Sequence, residues 1–234
     1  MRLNFLLLIK IITVMKKLSL LIAAILIGFS TFAQKNVSWE ATVGANFPSY
    51  NVTGFKSILG FHVGARANIA LPNWGDGVYT NIGALLTLKG AKLDLGDLGD
   101  SKGNMYYLEV PVHIGYRFQA SENFSIFGEF GPYFAYGLFG KVTTKTISDK
   151  YYDDFVYEKE KHDTFDEYKR FDFGLGFRLG TEYKQKYSFS LGYDFGLINI
   201  WDDSYGDDEY GEPSIELVGS VKNKNFYISL GYKF

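Results

Sequence analysis

Glu109, His113 and Arg117 stand four residues apart in Tyr107-Leu-Glu-Val-Pro-Val-His-Ile-Gly-Tyr-Arg-Phe118. A carboxylate, an imidazole and a guanidinium on one face have the makings of a proton or ion relay, because imidazole changes charge near neutral pH. Glu40, Arg66, Glu129, Asp172, Arg178, Glu182 and Asp194 fall on the same side of similar runs. Such a set can serve as a relay, as a gate, or as an ionic core that holds a structure together. The last is the plainest reading, since buried charges must be paired or they are very costly.

Other chemistries find less support. The chain of 234 residues has no cysteine and three histidines. His62 and His113 are distant from each other and lack an evident carboxylate partner, so no metal site is expected. No Ser/His/Asp spacing suggests a triad, and the expectation is a protein that is not an enzyme and carries no cofactor. A net charge of −2 gives no electrostatic case for nucleic acid. The stretch with Asp202, Asp203, Asp207, Asp208 and Glu209 is dense in oxygen ligands. It could hold Ca²⁺ or bridge to lipopolysaccharide phosphates, but its spacing does not fit an EF-hand and a solvated loop is the simpler reading. Gly174-Leu-Gly-Phe-Arg-Leu-Gly180 has strand periodicity and the wrong spacing for a dinucleotide loop.

The elements that position these residues repeat every two. Eight segments alternate: 37–47, 58–71, 77–90, 105–118, 123–140, 168–184, 187–198 and 224–234. In the last, Phe226, Ile228, Leu230, Tyr232 and Phe234 share one face, Tyr227, Ser229, Gly231 and Lys233 the other. Across all eight, charges are expected on one face only. A Lys or Arg turned toward mid-bilayer lipid costs roughly 2–4 kcal/mol, which explains so strict an exclusion. The pattern predicts an all-β, eight-stranded antiparallel up-and-down transmembrane barrel, closed by a last strand ending in Tyr232 and Phe234. The charges then lie inside, where an eight-stranded ring is just wide enough to be filled by side chains. Glycines at 44, 60, 64, 83, 115, 174, 176, 180, 192 and 231 lie on the charged face and leave room for long Arg and Glu side chains. Pro111 removes one ladder donor there, so a local bulge is expected.

Connections between the segments alternate long and short, as in outer-membrane barrels. That places both mature ends in the periplasm and loops 141–167 and 199–223 outside the cell. Strands five and six are expected to continue above the membrane as a hairpin. Trp39, Trp74, Tyr116, Phe118, Phe124, Tyr183, Tyr187, Tyr232 and Phe234 would girdle one rim; Phe47, Tyr106, Tyr136 and Phe171 would girdle the other. Residues 1–33 read as a signal region. Met15-Lys-Lys begins a basic start and apolar run with cleavage after Ala33, leaving 34–234 as the barrel. The competing reading, a transmembrane helix from Leu3 to Phe32, would place Lys10, Lys16 and Lys17 in lipid.

Several stretches carry a resemblance: Tyr107–Phe118, Gly128-Glu-Phe-Gly-Pro-Tyr133, Phe171-Asp-Phe-Gly-Leu-Gly-Phe177, Leu191-Gly-Tyr-Asp-Phe-Gly-Leu-Ile-Asn199 and Leu230-Gly-Tyr-Lys-Phe234. The chain resembles the outer-membrane β-barrel domain family of Bacteroidetes-type bacteria, sometimes called PorT-like. The resemblance implies the eight-stranded barrel, an outer-membrane location in a Gram-negative envelope, and no catalytic residues. It allows a structural or interaction role through the outer loops or within an envelope or secretion complex. Expected partners are outer-membrane lipid and lipopolysaccharide, the barrel-assembly machinery during insertion, and an envelope protein. A narrow pore for small solutes and a soluble lipocalin-like binder with its apolar faces turned inward are the alternatives.

Overall fold

The computed structural model describes residues 36–94, 96, 99–151, 154–202 and 220–234, with side chains except at 146–151 and 154–159. The expected signal region 1–33, and Asp203, Asp207, Asp208 and Glu209 of the acidic stretch, lie outside the described residues. The strands are β1 (Val37–Tyr50), β2 (Phe55–Lys56), β3 (Gly60–Ala70), β4 (Val78–Asp94), β5 (Gly99–Ser121), β6 (Phe124–Tyr151), β7 (Asp154–Asp163), β8 (Phe171–Tyr183), β9 (Tyr187–Gly196) and β10 (Asn223–Lys233).

Eight of them close a ring in the order β1-β10-β9-β8-β6-β5-β4-β3 and back to β1. The last strand meets the first along an unbroken register from Glu40 opposite Lys233 to Tyr50 opposite Asn223. Closure removes the free edges that would otherwise expose unpaired backbone groups in lipid. The apolar residues face outward: Phe130, Phe177, Leu179, Phe189 and Leu230 are each about half exposed, while Arg178, Asp172, Glu129 and Glu40 on the alternate positions are buried. The apolar faces therefore point away from the lumen, which excludes the lipocalin-like arrangement. At the short-turn end, Trp74, Tyr116, Phe118, Tyr187 and Phe234 stand exposed as a girdle.

Three differences from the sequence expectation have physical causes. First, most of the expected loop 91–104 is strand: β4 and β5 run on in register to Asp94 opposite Asp100. Beyond the lipid the outward face meets water and carries charge, so the apolar alternation disappears from the sequence while the ladder persists. As the sequence predicts, β6 extends to Tyr151 and pairs with β7 as a hairpin. Second, Pro111 causes no bulge. Register is unchanged on both sides, from Val110 opposite Phe134 to Ile114 opposite Phe130 and from Leu85 opposite Glu109 to Ile82 opposite Val112. Gly83 makes this fit possible, since a Cβ there would lie 3.0 Å from Pro111 Cγ. The shifts between β5 and β6 fall instead between Tyr106 and Tyr107 and between Gln119 and Ser121. Third, the apolar face is not free of charge: Lys224, half-buried, follows the parity of Phe226 and pairs with Ser49 and Phe195 at the strand end. It sits where a long cation can reach the interface.

Candidate functional site

Four residues along a strand cover roughly 13 Å, so Glu109, His113 and Arg117 do not meet. Each joins a different ionic cluster, and the clusters are stacked along the lumen.

The middle cluster is centred on Arg178, which is 1% exposed. Its Nη2 donates to Glu40 Oε1 at 2.9 Å, its Nη1 to Glu129 Oε2 at 3.3 Å, and its Nε to Ser190 Oγ at 3.0 Å. The guanidinium lies over the Phe127 ring at 4.8 Å. Glu129 also accepts from the Tyr79 hydroxyl at 2.8 Å. His113 Nδ1 stands 3.8 Å from Glu129 Oε2, beyond hydrogen-bond reach, so His113 has a carboxylate neighbour that its sequence context did not reveal. One cation is held between two carboxylates, each with a further hydroxyl donor, while Glu40 Oε2 and both His113 nitrogens are buried without a hydrogen-bond partner among the described residues.

The second cluster lies nearer the long-connection end. Lys89, fully buried, sits 2.7 Å from Glu109 and 3.3 Å from Asp172. Asp172 also accepts from Tyr133 Oη at 3.2 Å and Asn223 Nδ2 at 3.0 Å. The Lys89 ammonium lies 4.2 Å above the Tyr133 ring. The third cluster sits at the short-turn end, where Glu182 binds Lys233 and stands 3.3 Å from Arg117 Nε. Arg117 is the least buried of the ten candidate residues, and its guanidinium covers the Tyr79 ring at 4.6 Å.

Arg66 and Asp194 stand apart from these pairs. Arg66 donates to Asn81 Oδ1 at 3.2 Å, and Asp194 accepts from Asn225 Nδ2 at 3.2 Å. Both line a cavity of about 10 Å³, shared with Glu109, His62 and Tyr227, which is room for about one water. His62 is bound on both nitrogens, to Asn46 Oδ1 at 2.7 Å and Ser229 Oγ at 2.8 Å. Asn46 spends its amide hydrogens on Phe61 O, Thr87 Oγ1 and Leu88 O. Its carbonyl oxygen therefore accepts from His62 Nδ1–H, and Ser229 Oγ meets Nε2. Among the described residues no group of three or more His, Asp or Glu is arranged to hold a metal ion.

Lys89 and Lys233 complete two of the three clusters, although their parity on the charged face was the only sequence signal for them. Of the inward tyrosines, the alternation places Tyr227 on that face but does not single out Tyr79, Tyr107 or Tyr133. Glycine makes room for Glu40 at Gly231 and for Arg66 at Gly83, as expected, but elsewhere the space goes to rings: a Cβ at Gly115 would lie 2.6 Å from Tyr79 Cζ, one at Gly174 would lie 2.6 Å from Tyr133 Cε1, and one at Gly192 would meet Tyr227. Above the ions, a hydrophobic plug closes the long-connection end. Tyr168 stacks on Tyr50 at 5.7 Å and meets Trp201 edge-on at 5.2 Å, packed with Met105, Tyr107, Val142, Ile200 and Val221.

No curated protein sequence matches this chain. Among solved structures, a major outer membrane protein from Thermus thermophilus is 15% identical and aligns over 85% of this chain and 99% of its own, with a TM-score of 0.44. Neisserial surface protein A is 11% identical over 86% of this chain and all of its own, at 0.42. The attachment invasion locus protein Ail of Yersinia pestis is 14% identical over 86% of this chain and all of its own, at 0.40. Residues 32–202 match the family described as outer membrane protein beta-barrel domain, and with most of its length so matched the chain belongs to that family.

Proposed function

We propose that this small outer-membrane barrel is a closed, non-conducting scaffold that works through the hairpins rising beyond its long-connection end. The filled lumen carries the reading. Three ion clusters and an aromatic plug occupy it, and the internal cavity they leave between Arg66 and Asp194 is of about 10 Å³. A passage for solutes needs a continuous wet path, and porins obtain it with many more strands. The short turns at 71–77, 122–123 and 184–186 support a periplasmic placement of that end and of both mature termini. The long hairpins then face the outside. The basic and apolar run from Met15 to Ala33 supports export with cleavage after Ala33.

The PorT-like stretches at 107–118 and 191–199 support a place in a Bacteroidetes-type envelope, in an interaction role such as a component of a secretion complex. Photo-crosslinkers placed along β6–β7 in intact cells test this. Reproducible capture of one envelope protein is expected. Crosslinks that reach only lipid from every hairpin position would contradict it.

A further inference from the structure

Above the outer aromatic residues, the sheet carries a row of lysines that the fold does not account for. Lys56 lies opposite Lys92, Lys92 opposite Lys102, Lys102 opposite Thr143, and Thr143 opposite Lys161. Four lysines thus stand side by side across β2, β4, β5, β6 and β7. Their face is fixed by their chain neighbours. Ala91 and Val142 are buried in the plug, so Lys92 and Thr143, one residue on, turn outward. Directly opposed like charges destabilise a sheet. Asp94 and Asp100, two residues further up, take up part of the charge: Lys56 meets Asp94 at 2.7 Å and Lys92 meets Asp100 at 3.0 Å. Lys102 and Lys161 make no ion pair among the described residues, nor does Lys141 one step below. Strand spacing of about 4.8 Å sets the row as an array roughly 19 Å long.

Height selects the partner. Tyr106 stacks on Phe139 at 4.6 Å in the outer girdle, and Lys102 lies four residues above it. That is roughly 13 Å along the strand and about 10 Å above the hydrocarbon edge for a strand tilted near 40°. The polar layer of a leaflet spans about 5–8 Å beyond its hydrocarbon, and a sugar headgroup rises higher. The row looks sideways, parallel to the membrane, into the headgroups of neighbouring lipids. We propose that it binds the anionic sugar headgroup of an outer-leaflet glycolipid, with Lys102 and Lys161 as the principal phosphate or carboxylate contacts. This rests on the orientation proposed above.

The test uses the full barrel in phosphatidylcholine nanodiscs doped with bisphosphorylated lipid A or with its dephosphorylated form, counting lipid A retained per barrel by native mass spectrometry. Enrichment of the phosphorylated form is expected, falling about tenfold in the Lys102→Gln/Lys161→Gln double variant. It should be unchanged in Lys184→Gln/Lys186→Gln at the opposite end. Heat-modifiable migration confirms that each variant is folded, and removing like charges from the row should not lower stability. Equal retention of both lipids, or an unaffected double variant, overturns the proposal. So does equally tight binding of soluble inositol hexakisphosphate, which would point to a free polyanion. Labelling of a cysteine at Thr143 by an impermeant reagent in intact cells reports the orientation independently, because the chain has no native cysteine.

Discussion

Arg178 Nη2 and Glu40 Oε1, 138 positions apart in the chain, meet at 2.9 Å inside the barrel. Glu40 sits on the first strand and Arg178 three strands away around the ring, so the pair exists only once the last strand has closed against the first. It ties ring closure to the ionic filling.

Removing Arg178 should therefore cost far more than removing the whole cluster. Arg178→Leu leaves Glu40 and Glu129 buried without their cation, with an expected loss of about 3–5 kcal/mol. The triple variant with Glu40→Gln and Glu129→Gln should recover most of that. Urea unfolding in detergent micelles, followed by heat-modifiable migration, gives both values. Equal losses would mean that the cluster is not paired as described.

Gly115 should tolerate no side chain. Its ideal Cβ would lie 2.6 Å from Tyr79 Cζ, and Tyr79 is held by Glu129 on one side and by Arg117 over its ring. Gly115→Ala should cost about 1–3 kcal/mol by overpacking. Combined with Tyr79→Ala, the alanine should cost almost nothing further, and a double-mutant cycle measures that coupling.

The plug makes its own prediction. Tyr168→Ala removes the ring stacked between Tyr50 and Trp201 and should cost about 3–5 kcal/mol if the barrel and plug unfold together. Protease cleavage near residues 164–170 should accelerate in the same variant, which limited proteolysis in intact membranes can follow.

The extramembrane ladder should loosen in acid. Hydrogen bonding by Lys56 holds the Asp94 carboxyl below its ordinary value, and Lys92 does the same for Asp100. Asp94 also faces the backbone N–H of Gly96 and Lys92, and Asp100 faces Lys145 and Asp94. Because the folded values lie below the unfolded ones, this support is present at neutral pH and fades as pH falls through the folded values. Amide exchange at the β4–β5 tip should rise there by a small factor, because exposed pairs contribute little. Exchange independent of pH, after correction for intrinsic rates, would contradict these pairings.

Much of this was legible in the sequence because lipid imposes a rule on every second residue. The parity of Phe177, Arg178 and Leu179 already assigns inside and outside. Partners were not legible, because Glu109, His113 and Arg117 look adjacent as text yet lie a cluster apart in space, while Glu40 finds Arg178 only through closure of the ring. The strands beyond the membrane were hidden for the opposite reason. Lys92, Asp94, Asp100 and Lys102 stand outward where the strands below carry apolar residues, so nothing in their order betrays a ladder. Tyr227 is assigned inward by its parity, whereas Tyr79 and Tyr133 were overlooked because an aromatic in a membrane strand suggests lipid.

Single-channel recording of the purified barrel in planar bilayers tests the closed lumen most directly. The packed ion clusters and the aromatic plug predict a flat baseline at physiological salt across the voltage range a planar bilayer withstands. Stable, repeated conductance steps from the folded protein would contradict it.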